Sequence, residues 1–127
     1  MYNKLQQSTM SRDEQLKSRW EQVVLKLSNQ FADGDELDLD AIIYLVGLQE
    51  LGKFKQSFAK DEKVNLMHIA ICRLLEPYGY YAFDYFDADG WPHYQILSEL
   101  PPLKPGEQSL LMKEAIVLYF LEKELID

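Results

Sequence analysis

The chain is poor in the residues that most often build metal and redox centres. It holds one cysteine, Cys72, and two histidines, His68 and His93, among 127 residues. One cysteine cannot form an internal disulfide, and a zinc site usually needs more sulfur and imidazole ligands than these three residues supply. Glu-x-x-His pairs are also missing, which excludes a di-iron carboxylate bundle. We therefore expect no metal and no cofactor.

Long apolar runs and basic charge are scarce as well. The longest apolar runs, residues 41–46 and 115–121, are far shorter than the roughly 20 residues that span a bilayer. The net charge is −8, from 21 acidic and 13 basic residues, and such a field repels phosphate backbones and anionic lipids. We expect neither nucleic-acid nor membrane binding. Because the chain start also lacks an apolar secretory run, the cytoplasm is the expected compartment.

Motifs for catalysis are missing too. No phosphate-binding or dinucleotide-binding glycine loop and no Gly-x-Ser-x-Gly elbow occurs. Residues 87–90 (DADG) share part of a calcium-loop pattern, but that alignment puts Tyr85 at the first ligand position and Ile96 at the last. The segment therefore fails as an EF-hand, and these absences weigh against an enzyme.

Two helices are predicted in the first half of the chain. The first begins near Ser11, which forms a capping box with Glu14, and it ends at Asp33-Gly34. Five acids without a base follow at residues 33–40 (DGDELDLD), a pattern typical of a solvated loop and helix start. The second helix is capped by Asp38 or Asp40 and ends at Gly52. It is apolar nearly all round, which predicts a central position.

The second half holds two more predicted helices. The third begins at Asp61 and ends at Pro77 and Gly79, and the fourth begins at Pro105-Gly106 and continues to the chain end. Together they predict a mainly α, single-domain bundle of about four main helices over residues 1–127, with residues 1–10 as a flexible or frayed N-terminus. Gly47, inside the second helix, predicts a close approach of a neighbouring helix.

Half of the aromatic residues lie in one stretch between the third and fourth helices, residues 78–94 (YGYYAFDYFDADGWPHY). Two structures fit this insert. Residues 80–86 with the Asp89-Gly90 turn predict a β-hairpin, whereas Pro92 is a typical first residue of a short helix over residues 92–100. We favour the short helix.

The same stretch is the candidate partner-binding surface. Aromatic rings offer large contact areas with few rotors to immobilise, and no lysine or arginine occurs from residue 74 to residue 103. We expect Phe83 and Phe86, which have no polar atom, to anchor the stretch in the core. The candidate binding residues are Tyr80, Tyr81, Asp84, Tyr85, Asp87, Asp89, Trp91, His93 and Tyr94. Packing of these rings as core alone is the alternative interpretation.

A second constellation lies on one face of the third helix. Asn65, His68, Cys72 and Glu76 are spaced so that all four share that face. One hypothesis is a thiolate on Cys72 stabilised by His68. The interpretation that we favour makes this a partly exposed helix face, with Cys72 as a small hydrophobic residue.

Three functions therefore stand as hypotheses. The first is a protein-interaction module that binds a protein partner, of basic character, through residues 78–94. The second is an acidic inhibitor that masks a basic active site; in general character, a small acidic chain with a Tyr/Asp-rich segment resembles bacterial immunity proteins, without a shared motif. The third is a small thiol or pocket enzyme that uses Cys72 and His68. A twofold homodimer that covers exposed rings is also left open.

Overall fold

A computed structural model describes residues 11–52 and 58–127. Within these ranges, four helices and one hairpin follow each other. Their bounds are α1 (Arg12–Phe31), α2 (Leu39–Leu51), α3 (Lys60–Leu75), β1 (Tyr81–Phe86), β2 (Pro92–Ile96) and α4 (Pro105–Glu122). The predicted mainly α fold with four helices is confirmed, whereas the prediction for residues 1–10 lies outside the described residues.

The first two helices begin and end where the capping residues predict. The Ser11 hydroxyl accepts a 3.0 Å hydrogen bond from the Glu14 N–H, and the Asp38 carboxylate accepts one of 2.8 Å from the Ala41 N–H. Each bond satisfies an amide that has no partner inside its own helix. Helix α2 ends at Gly52, whose φ of 73° lies in the left-handed region that glycine adopts without strain.

The other two helices use a glutamate in the first turn instead. The Glu62 carboxylate accepts a 2.9 Å hydrogen bond from the Ala59 N–H, and Glu107 makes the same contact, at 3.1 Å, with the Lys104 N–H. After α3 the chain makes a 3-10 turn at Glu76–Tyr78 and then bends at Gly79. Helix α4 ends at Glu122. The prediction that it continues to the chain end is therefore wrong for the last five residues.

The core lies between all four helices. It holds fully buried aliphatic side chains from each of them, among which Val23, Ile42, Leu74 and Ile116 are almost inaccessible to solvent. Helices α2 and α3 cross so closely that a Cβ on Gly47 would collide with the backbone carbonyl of Leu66. The predicted close approach at Gly47 is therefore present. None of the helices in the described ranges is long and apolar enough to cross a membrane.

The aromatic insert is a β-hairpin, so the short helix that we favoured for residues 92–100 is wrong. Strands β1 and β2 pair antiparallel around a turn at Asp87 to Gly90, where Gly90 has a φ of 85°. Pro92 misled the prediction because its missing N–H suits a helix start and also a strand position that donates no ladder hydrogen bond. Here it pairs with Phe86 at such a position.

Candidate functional site

The hairpin has two distinct faces, which its register defines. Phe83 pairs with Tyr94 and Phe86 pairs with Pro92, whereas Tyr85 pairs with His93. The register shifts between Phe83 and Tyr85, so one extra residue, Asp84, bulges out of β1. Because of this bulge, Phe83 and Phe86 lie on the same face although three positions separate them.

Several rings of the hairpin attach it to the helices. Tyr80 and Tyr81 pack against the main core, and Trp91 packs against a second cluster formed by Leu48, Leu51, Phe58 and Leu66. Pro92 is buried. Tyr94 is half-buried, and its burial, followed by the nearby carboxylates of Glu50 and Glu76, raises the pKa of its phenol to about 12. These rings therefore attach the hairpin to the helices and are less available to a partner than exposed rings are.

Phe83 and Phe86 are exposed, which contradicts our expectation that they anchor the core. Their side chains are 44% and 62% exposed, and their ring centroids lie 4.9 Å apart. The prediction failed because it ranked rings by their polar atoms, whereas burial in a two-stranded hairpin depends on which positions lie against the helices. The half-buried positions belong instead to Tyr80, Tyr81, Trp91 and Tyr94.

On the opposite face, Tyr85 and His93 stack. Their ring planes are parallel within 2° and their centroids are 4.6 Å apart. The imidazole is also fixed by its Nε2 atom, which lies 2.9 Å from the Asp87 carboxylate. Both rings are largely exposed. This face therefore presents an ordered aromatic pair to solvent.

Asp87 organises the turn. One of its carboxylate oxygens accepts hydrogen bonds from the N–H groups of Asp89 and Trp91, at 2.9 and 3.0 Å. The hydrogen bond with His93, together with these backbone N–H groups, holds the pKa of Asp87 below its ordinary value. Asp87 is consequently a structural residue of the hairpin as well as a candidate binding residue.

A groove of about 400 Å³ separates α3 from the hairpin. Helix α3 contributes Asn65 and His68 to its walls. The hairpin contributes five of the predicted binding residues, namely Asp87, Asp89, Trp91, His93 and Tyr94. Two residues of the α3 constellation and five of the predicted binding residues therefore meet in one place. We call this the α3–hairpin groove.

The other residues of the α3 constellation are not part of this groove. Cys72 is fully buried, 3.5 Å from His68 Nε2, and its burial raises the pKa of the thiol to about 11. Glu76 accepts a 2.8 Å hydrogen bond from the Phe83 N–H and thereby ties the end of α3 to β1. Burial of Cys72 fits the interpretation of a small hydrophobic residue and opposes a thiolate at neutral pH.

Sequence reasoning missed a polar network under the hairpin. The buried Tyr119 hydroxyl donates a 2.6 Å hydrogen bond to Glu50, and Arg73 Nε lies 3.5 Å from the other oxygen of that carboxylate. Arg73 and Lys123 also approach the Tyr119 ring, at 5.1 and 4.9 Å from its centroid. The signal was weak because these residues come from three helices, so only the fold brings them together.

The predicted binding residues thus divide into two groups. Asp84, Tyr85, Asp89 and His93 are exposed, whereas Tyr80, Tyr81, Asp87, Trp91 and Tyr94 are partly buried.

Among residues 11–52 and 58–127, no three His, Cys, Asp or Glu side chains are grouped so as to hold a metal ion. No protein-family model matches this chain, and comparisons with curated proteins and with solved structures find no significant match.

Proposed function

We propose that this chain is a cytoplasmic protein-interaction module that binds a basic, partly apolar surface of a protein partner through the hairpin. The observation that carries the proposal is the contact between the exposed rings of Phe83 and Phe86. Adjacent exposed rings on a small domain are typical of interaction sites, since leaving them in water is unfavourable. Aromatic side chains also contribute a large share of the binding free energy at protein interfaces.

The charge around these rings favours a basic partner. Residues 74–103 contain no lysine or arginine and hold five acids, Glu76, Asp84, Asp87, Asp89 and Glu99. A partner surface with lysine or arginine around an apolar centre complements this arrangement, and complementary charge raises the association rate. A lone, buried thiol suits a reducing compartment such as the cytoplasm.

Affinity capture with matched variants tests the proposal. The native chain is compared with Phe83→Ser/Phe86→Ser and with the control Leu25→Ser/Val64→Ser, which removes two side chains that are each 63% exposed on α1 and α3. We expect the native and control chains to retain one specific protein that the hairpin variant loses. Circular dichroism establishes that all three fold. Retention of the same protein by the hairpin variant contradicts the proposal.

The acidic-inhibitor hypothesis is a special case of this proposal, with a basic active site as the target. All five acids of residues 33–40 are exposed, so the chain carries a second negative surface that such an inhibitor would use. Binding through charge weakens steeply with ionic strength, whereas binding through rings does not. A salt titration of the captured complex, with Asp84→Asn and Phe86→Ser compared side by side, separates these two cases.

The thiol-enzyme hypothesis requires an accessible thiolate on Cys72. Burial of that residue and its raised pKa disfavour the thiolate at pH 7. We expect iodoacetamide to modify Cys72 slowly in the native chain and rapidly once the chain is unfolded in urea. Rapid modification of the native chain at pH 7 would restore the hypothesis.

A further inference from the structure

The outer edge of β2 carries backbone groups that β1 does not use. Antiparallel pairs alternate between those that exchange N–H···O=C bonds and those that do not. The Leu97 N–H donates a 3.0 Å hydrogen bond to the Tyr80 carbonyl, which fixes this alternation at the open end of the hairpin. By that alternation, Ile96 and Tyr94 belong to pairs that exchange none. Their N–H and C=O groups therefore point away from β1.

The two outer edges of the hairpin differ in whether their outward N–H groups are already hydrogen-bonded. On β1, the outward N–H of Phe83 already donates to the Glu76 carboxylate at 2.8 Å. On β2, no residue in the ranges 11–52 and 58–127 accepts a hydrogen bond from the outward N–H of Tyr94 or Ile96. Ile96 is also 71% exposed. An unpaired strand edge is a template on which another extended segment can pair.

We infer that this β2 edge binds an extended segment of the partner, bearing lysine or arginine, as a third strand of the sheet. The inference rests on the proposed function and adds the mode of recognition to it. Backbone hydrogen bonds to Tyr94 and Ile96 supply affinity, and alternate side chains of the added strand supply specificity.

The charges beside β2 select a basic segment. The first half of β2 forms one wall of the α3–hairpin groove, which also contains the carboxylates of Glu62, Asp87 and Asp89. A lysine or arginine of the added strand reaches these carboxylates and the Trp91 ring, which attracts cations. A second copy of this chain is the poorer occupant, since two hairpins that carry acids and no lysine or arginine would repel each other.

A synthetic octapeptide of alternating lysine and valine is the probe, and its binding is followed by fluorescence anisotropy. Ile96→Pro removes one outward N–H without breaking a hydrogen bond of the hairpin, because proline is tolerated at such edge positions. Ile96→Ala is the matched control, which removes most of the side chain and keeps the N–H. We expect Ile96→Pro to bind the peptide about tenfold more weakly than Ile96→Ala.

A second measurement uses the native chain alone and covers the case in which Ile96→Pro does not fold. Hydrogen exchange of the Tyr94 and Ile96 amides, followed by NMR, slows when the peptide binds. The same peptide N-methylated at its central residues, which cannot form the strand, leaves that exchange unchanged.

Three results overturn the inference. They are equal peptide affinity for the two Ile96 variants, absence of peptide binding, and slow exchange of the two amides in peptide-free protein that self-associates. None of these results decides the proposed function. That proposal is tested separately, by whether Phe83→Ser/Phe86→Ser loses the captured protein.

Discussion

Asp87 and His93 are joined across the hairpin by a 2.9 Å hydrogen bond between a carboxylate oxygen and ring Nε2. Because an ionised carboxylate only accepts hydrogen bonds, Nε2 carries the proton. The other carboxylate oxygen holds two backbone N–H groups of the turn. One side chain therefore fixes both the turn and the orientation of the imidazole that stacks on Tyr85.

Asp87→Ala should loosen the hairpin and leave the helical bundle folded. Loss of the carboxylate removes the turn hydrogen bonds, so the hairpin amides should exchange faster in NMR while the far-ultraviolet circular dichroism stays nearly unchanged. The control is Asp89→Ala, which keeps the Asp87 carboxylate in place. Unchanged hairpin exchange in Asp87→Ala would show that the turn does not depend on this residue.

The same carboxylate predicts a pH dependence. Its pKa is lowered in the folded state, so its contribution to stability is full above the ordinary aspartate pKa of about 4 and is lost as the pH falls through the lower, folded value. Hairpin protection in the native chain should therefore fall on acidification below about pH 4. Asp87→Ala should show a shallower fall over the same range.

Gly47→Ala should destabilise the bundle strongly. A Cβ at this position meets the Leu66 carbonyl, with the carbonyl carbon only 3.0 Å away, and backbone cannot move aside as a side chain tip does. We expect the free energy of unfolding to fall by about 1–3 kcal/mol in urea denaturation. Gly106→Ala in α4 is the control, because nothing lies within 4 Å of its Cβ position and the change should be neutral or slightly stabilising. Equal stability of the two variants contradicts the close helix crossing.

Tyr119→Phe should lower the free energy of unfolding by about 1–2 kcal/mol, because it removes a buried hydrogen bond to a carboxylate. Tyr78→Phe, at an exposed tyrosine, should change it by less than about 0.5 kcal/mol.

Burial and the bond to Glu50 raise the pKa of Tyr119 in the folded state. Native stability should therefore fall as the pH rises above about 10, and less steeply in Tyr119→Phe. Identical alkaline denaturation of the native chain and Tyr119→Phe contradicts the network.

The helices were predictable because their signals are local. The caps at Ser11 and Asp38 and the stop at Gly52 each depend on residues within a few positions, and the structure has them as expected. Gly47 was predictable for a related reason, since an internal glycine in an apolar helix indicates contact at that point.

The hairpin was only partly predictable because its outcome depends on distant residues. Pro92 carries a local signal for two structures, and the choice was decided by pairing with residues 81–86 and by packing of Trp91 on another cluster. Phe83 and Phe86 share one face because of the bulge at Asp84, which composition does not reveal. The meeting of Asn65 and His68 with the hairpin likewise depends on the path that the chain takes after Gly79.

We propose that the contacting rings of Phe83 and Phe86 bind the partner. Isothermal calorimetry of the captured partner, once purified, against the native chain, Phe83→Ser/Phe86→Ser and Leu25→Ser/Val64→Ser tests this proposal. We predict that the hairpin variant binds about 30-fold more weakly or worse and that the control stays within about threefold of the native chain. Equal affinity of the native chain and the hairpin variant would contradict the claim.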